Sequence, residues 1–230
     1  MTIHNALRLP RRAFSFACVV AVVLVATVRV PAFHPFLHPS PPVELRARVE
    51  QALDVAHIID RRLRVLGYER SLFGSGWAMT VTAEGTYLST RDAVIQRAHR
   101  ALAHDAREQR SLSNSQREQQ GLDDYTGEAV TASAIEIDHI VPLAAAWDLG
   151  AHKWDMAQRR RFANDLALNL AATFSQLNRE KSDATLSHWV PPDETRQCSY
   201  AARYLTVITE YGLDLPRDDA ETARQVCHIR

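Results

Sequence analysis

The sequence predicts an α+β fold, a hairpin-and-helix unit embedded in a mainly helical single domain. Three observations predict it. Apolar residues recur at steps of three and four along several stretches, the pattern of helices with one buried face. Two short stretches, 134–141 and 169–174, read as strands instead, and Pro142 stops the first. With 230 residues, 46% of them hydrophobic, the chain can build one ordinary domain with a core after an N-terminal segment is set aside.

That segment comes first. Arg8, Arg11 and Arg12 precede an almost wholly apolar run from Ala13 to Val28. Charge followed by an apolar run reads as a secretory signal, and Val30-Pro31-Ala32 offers a small-residue cleavage site. The run is shorter than the roughly 20 residues that cross a bilayer comfortably. This favours a signal, while Arg29 beside the cleavage site keeps an uncleaved anchor open. Arg11-Arg12 before Ala13-Phe14 also resembles a twin-arginine signal. Residues 1–32 are assigned to a signal peptide or N-terminal membrane anchor, 33–42 to a stiff proline-rich linker, and 43–230 to the folded domain. The expected location is periplasmic or extracellular, or at the inner membrane if the segment is retained. Cys18 lies in the apolar run, leaving Cys198 and Cys227 as an even pair. In an exported protein that suits one disulfide, with two unrelated buried thiols as the alternative.

Within the domain, Leu45, Val49, Ala52, Ala56, Ile59, Leu63 and Leu66 form one apolar stripe, predicting a helix that Gly67 ends. Residues 68–87, with Gly74 and Gly76, read as turns and short strands. Ser89 and Asp92 form a capping box for a helix through Val94, Ile95, Ala98 and Leu102. Residues 107–123 are polar and read as a surface loop. After the first strand, a helix is expected over 153–164, carrying Arg159, Arg160 and Arg161. Ser175 is a natural N-cap for a short helix bearing Asn178 and Lys181. Ser199 is expected to cap a helix ending at Tyr211, and Pro216, Asp218 and Glu221 to open a last one. A Cys198–Cys227 bridge would tie the start of one of these helices to the end of the next.

The chemistry concentrates on the hairpin and its helix. Asp138 and His139 sit near the end of the first strand, Asn169 at the start of the second, and Asn178 and Lys181 one turn apart on the helix. Neighbouring strand residues point to opposite faces, so Asp138 and His139 can share a site only where the strand ends or twists. A carboxylate and an amide oxygen are hard ligands that suit magnesium or manganese. Neutral histidine can take a proton from water, and lysine can meet phosphate oxygens. Lys+Arg and Asp+Glu number 27 each. A balanced charge argues against high-affinity coating of nucleic acid, but not against an enzyme that touches a few phosphates and lets go.

Three segments resemble the parts of an HNH endonuclease motif: Ile137-Asp138-His139-Ile140-Val141-Pro142, then Asn169-Leu170, then Asn178-Arg179-Glu180-Lys181-Ser182-Asp183. The same words occur in the HNH domain of the RNA-guided CRISPR nucleases. The wider chain is similar to an exported bacterial branch of that family, through Tyr68-Glu69-Arg70, Phe73-Gly74-Ser75-Gly76-Trp77, Thr90-Arg91, Asp124-Tyr125-Thr126-Gly127 and Trp189-Val190-Pro191-Pro192. The resemblance implies a ββα-metal unit with its motif core at 134–184, and a metal-dependent nuclease that hydrolyses phosphodiester bonds, DNA favoured over RNA. It implies His139 as general base, Asp138 and Asn178 as ligands of one divalent ion (Mg²⁺, or Mn²⁺), and Lys181 as a phosphate contact. Asn169 would hold the loop and the His139 ring. Asn178 stands where the family name has its last histidine, which moves the metal preference away from zinc or nickel toward magnesium. Arg91 and Arg179 are candidate substrate contacts. A rival of a different class is a noncatalytic exported module that binds nucleic acid or a partner on the same scaffold. A zinc structural site lacks the cysteine and histidine ligands it needs.

Other residues carry plainer expectations. His152 and His188 are expected on the surface or in packing, and Trp147, Trp154 and Trp189 in the core rather than against bases. The run Arg159-Arg160-Arg161 reads either as a solvated face or as a contact to nucleic-acid backbone.

Overall fold

The computed structural model describes residues 40–82, 84–109 and 120–230. The predicted signal or anchor, Cys18, most of the proline linker and much of the loop expected over 107–123 lie outside these residues. The unit from Pro39 to Arg230 is compact, and no helix among the described residues is long and apolar enough to cross a membrane.

The first helix, α1 (Val43–Val55), buries Val49 and Leu53. It stops well short of the expected end at Gly67. Its neighbour β1 (Ile58–Ile59) pairs in parallel with β8 (Leu215–Pro216), and Leu215 N donates to the His57 carbonyl at 2.8 Å. Downstream, Asp148 takes the Val65 amide at 2.8 Å and the Arg62 guanidinium at 2.7 Å. These distant partners outcompete the local period, since intrinsic propensity is a weak prior against tertiary pairing. Leu63 and Leu66, expected on the buried stripe, are accordingly 61% and 92% exposed.

A 3-10 turn (Arg70–Phe73) leads to a hairpin of β2 (Met79–Val81) and β3 (Tyr87–Ser89). Helix α2 (Thr90–Gln109) then starts on the expected cap, with the Ser89 hydroxyl 2.7 Å from Asp92 and accepting the Asp92 amide at 3.1 Å. The expected loop over 107–123 is bounded by this helix on one side and by β4 (Gln120–Leu122) on the other. β4 pairs with β5 (Ala129–Thr131).

The central hairpin is β6 (Ile135–His139) and β7 (Leu170–Phe174), antiparallel with His139 opposite Leu170. Between them lie α3 (Leu143–Asp148) and α4 (Met156–Ala163). The sequence reading missed α3. Pro142 fits its N-cap, and the small residues that follow it pack in the core. Helix α4 is shorter than the expected 153–164 and is capped by Asp155, whose side chain accepts the Gln158 amide at 2.7 Å.

Helix α5 (Ser175–Lys181) follows β7 without a loop. Ser175 is its first residue rather than its cap, and Phe174 takes the cap position with no side-chain bond. Helix α6 (Glu194–Glu210) starts six residues earlier than expected, on Asp193, and Ser199 lies inside it, donating to the Arg196 carbonyl at 2.8 Å. Helix α7 (Arg217–Val226) has Pro216 at its N-cap and no side-chain cap, so the box expected from Glu221 does not form.

The main core surrounds α6, with Tyr200, Tyr204, Leu205 and Ile208 buried against α1, α3 and α4. A second, smaller cluster sandwiches the Ile135 and Ile137 face of β6 against Val94 and Ala98 of α2. Trp147, Trp154 and Trp189 pack among Tyr68, Phe162, Tyr125 and Tyr200, as core residues. Cys198 and Cys227 form a disulfide with Cα atoms 4.7 Å apart, joining the first turns of α6 to the end of α7.

Candidate active site on the central hairpin

His139 is the last residue of β6, and its position there resolves the problem of neighbours facing opposite ways. Ile135, Ile137 and His139 share the face toward α2, whereas Glu136 and Asp138 share the other. Because the strand ends at His139, both side chains reach the cavity at that end. This cavity, about 280 Å³, is lined by Asp138, His139, Asn178, Ser182 and Asp183 among others.

The imidazole is oriented from two sides. Its Nε2 lies 2.9 Å from the Ala163 carbonyl at the end of α4 and therefore carries the proton and donates it. The Trp77 indole lies nearly parallel to it, 9° between planes and 6.1 Å between ring centres. Gly74 and Gly76 make that approach possible. Their φ values of 105° and 69° place the loop in conformations that side-chain-bearing residues disfavour. Nδ1 is left with no hydrogen-bond partner among the described residues, its lone pair free. Burial pushes the His139 pKa down from 6.5 to about 4, with Arg70 and Lys181 adding to the fall and the Ala163 carbonyl and Asp138 opposing it. The ring is a neutral base at pH 7.

Asp138 sits in a dense hydrogen-bond set. Its Oδ2 accepts the Tyr125 hydroxyl at 2.6 Å and the Lys181 ammonium at 2.8 Å, and its Oδ1 accepts the His139 amide at 2.7 Å. Burial first, and the Asp138 charge second, push the Tyr125 pKa well up, so the phenol stays a donor. Tyr125 is held in turn by Asp123, whose carboxylate takes the Tyr125 amide at 2.7 Å and the Thr173 hydroxyl and Phe174 amide of β7.

Lys181 differs from the role the resemblance implied. It is fully buried, and its ammonium donates to the His139 carbonyl at 2.7 Å as well as to Asp138. Burial lowers its pKa, and Asp138 offsets that. A side chain with no exposed surface and both neighbours engaged does not reach a phosphate from this position. It neutralises Asp138 and ties α5 to β6.

Asn169 bridges the loop after β6 and the end of α4. Its Oδ1 accepts the Val141 amide at 2.9 Å, and its Nδ2 donates to the Phe162 carbonyl at 3.3 Å, one residue before the carbonyl that holds the ring. The ring itself is held by Ala163 and Trp77. Asn178 points its Nδ2 at Glu136 Oε2, 2.8 Å away, and its Oδ1 has no hydrogen-bond partner among the described residues.

Among the described residues Asp138 Oδ1 has one hydrogen bond and a spare lone pair, and Asn178 Oδ1 is unengaged. Among the described residues no cluster of three or more His, Cys, Asp or Glu gathers. Two oxygen donors on one cavity fit a hard cation that keeps most of its waters, not zinc.

Arg91 and Arg179 do not line this cavity. Arg91 lies 4.0 Å from Asp92 at the start of α2, and Arg179 is exposed on α5. The arginine run divides. Arg159 donates to the carbonyls of Leu72 and Trp154, Arg160 packs on Gly74, and Arg161 covers the Tyr211 ring at 5.3 Å. Residues given no individual role in the sequence reading now stand around the site: Arg70, Trp77, Tyr125 and Glu136. Only their membership of the words resembling the family, or their spacing from Asp138, hinted at them.

Residues 82–221, more than half of the chain, match the family described as GmrSD restriction endonucleases, C-terminal domain. This match defines the class: a nuclease domain. The chain belongs to the family of GmrSD restriction endonuclease C-terminal domains. It is also similar to a protein of Arthroderma benhamiae called "Uncharacterized secreted protein", 29% identical over 204 residues, which covers 88% of this chain and 92% of that one. No solved structure matches it.

Proposed function

We propose that the protein is an exported, metal-dependent endonuclease of HNH type that hydrolyses phosphodiester bonds in DNA. The observation that carries the reading is the state of His139: a neutral imidazole, fixed through Nε2 and the Trp77 face, with Nδ1 free on the end of the strand that also bears Asp138. A nuclease of this kind needs such a base, preorganised and unprotonated at working pH.

In the proposed reaction, water gives a proton to His139 Nδ1 as its oxygen bonds to phosphorus. The phosphorus–O3′ bond breaks in line, and the departing oxygen takes a proton from solvent. Asp138 and Asn178 would hold one divalent cation, Mg²⁺ or Mn²⁺, which when bound supplies charge neutralisation for the departing oxygen. Lys181 and Tyr125 fix the carboxylate, and Asn178 is aimed by Glu136. Export is supported by the disulfide, which persists in oxidising compartments, by the charged and apolar N-terminus, and by the name of the fungal relative.

The test is plasmid cleavage by the full chain and by His139→Ala, with Mg²⁺, Mn²⁺ or EDTA. Metal-dependent cutting that falls about 10²–10⁴-fold in the variant is expected for loss of a general base. Full activity in the variant refutes the assignment of the base. Absence of cutting of both DNA and RNA by the parent with either metal refutes the enzyme reading in favour of a noncatalytic binding module.

A further inference from the structure

Two cavities meet at His139. Besides the one bearing Asp138 and Asn178, a second of about 120 Å³ is lined by Phe73, Gly74, Trp77, Ala163 and Asn164. Arg70 and His139 both line each of them. Arg70 opens the 3-10 turn that precedes the glycine loop, and its side chain is exposed. Its guanidinium makes no hydrogen bond or ion pair among the described residues.

Arg160, which packs on Gly74, and Arg179 line neither cavity, and the other cations nearby are already committed. Lys181 is buried on Asp138 and the His139 carbonyl. Arg62 is shared between Asp148 and Asp183, and Arg64 pairs with Asp183 at 3.0 Å. Arg159 is taken by two backbone carbonyls. A site that hydrolyses a phosphodiester still has to meet the negative charge growing on the non-bridging oxygens.

We infer that Arg70 is the residue that contacts the scissile phosphate, the role the sequence suggested for Lys181; this rests on the nuclease reading above. A planar guanidinium can donate two parallel N–H bonds to two phosphate oxygens, which a lysine cannot. From the junction of the two cavities, it holds the phosphate beside the free Nδ1 of His139. Arg70 moves no proton and forms no bond. It binds charge that increases in the transition state.

The experiment measures kcat and KM for Arg70→Ala and Arg70→Lys in the full chain, with Arg217→Ala as a control that removes an equal charge from a residue lining neither cavity. Arg70→Ala is expected to lower kcat about 10²–10³-fold, as loss of one transition-state donor does. Arg70→Lys should recover only part of that, since it restores charge without the fork. Melting temperatures of both variants should match the parent, because the side chain has no partner to lose. In parallel, binding of a short single-stranded oligonucleotide is followed by fluorescence anisotropy in the His139→Ala background. Arg70→Ala should weaken it about 10-fold or more, the size of one charge-assisted contact. A kcat within threefold of the parent, or a rise in KM alone, overturns the inference. If the parent cuts nothing, the nuclease reading fails separately, and unchanged oligonucleotide affinity on removing Arg70 then overturns this one as well.

Discussion

Replacing Lys181 by Met separates a buried structural cation from one that meets substrate. The substitution keeps the length and apolar character of the side chain and removes the ammonium. It strips Asp138 Oδ2 of a partner at 2.8 Å and the His139 carbonyl of a partner at 2.7 Å, at a position with no exposed surface. Asp138 keeps Tyr125 and the His139 amide, so its charge stays hydrogen-bonded but loses its counter-ion. Breaking a buried pair from one side costs about 3–5 kcal/mol, because the surviving charge is left uncompensated. For a domain of this size that is a fall in Tm of roughly 6–20 °C. Thermal melts by circular dichroism at pH 7 read it directly. Adding Asp138→Asn removes the stranded charge, so the double variant should be more stable than Lys181→Met alone, with the coupling visible in a double-mutant cycle. A Lys181→Met Tm within about 2 °C of the parent, which is under 1 kcal/mol at this size, refutes the buried-pair argument and returns Lys181 to the substrate.

The remaining predictions concern the frame and the pH dependence of the fold. Cys198→Ala with Cys227→Ala opens a loop spanning 29 residues. Chain entropy then predicts a loss of about 3–4 kcal/mol, seen as a lower Tm that reductant reproduces in the parent; a Tm insensitive to both would show that the bridge does not stabilise the fold. His139 has a native pKa of about 4 against an ordinary 6.5. Between those values the unfolded chain binds a proton that the native ring refuses. Stability is therefore unaffected by this group above pH 6.5 and falls as pH drops toward 4, by up to about 3 kcal/mol. The difference in unfolding free energy between the parent and His139→Gln should follow that slope in metal-free buffer; a flat difference across the window removes burial as the cause.

The local signals succeeded where one short segment decides the outcome. The Ser89–Asp92 cap and the helix after Phe174 both form from residues within a few positions of one another. They failed where a distant partner made the better offer. The apolar stripe from Leu45 to Leu66 is a sound helical pattern, yet its second half is taken by Leu215 and Asp148. Helix α6 begins on Asp193 rather than Ser199 because an earlier cap was available, and Ser199 bonds backward inside the helix instead.

The same division runs through the site. The sequence by itself determined which residue types gather there, since Asp138, His139, Asn169, Asn178 and Lys181 lie on two strands and a helix joined in order. It also determined that one pair of cysteines was free to close the last two helices. Only the tertiary structure decided what each side chain faces. Burial is a property of the whole packing, and it turned Lys181 from a surface cation into the counter-ion of Asp138. Residues far apart in the chain, Trp77, Tyr125 and Ala163, hold the ring and the carboxylate. Their contacts arise from long-range closure of the chain, so no window of local sequence contains them.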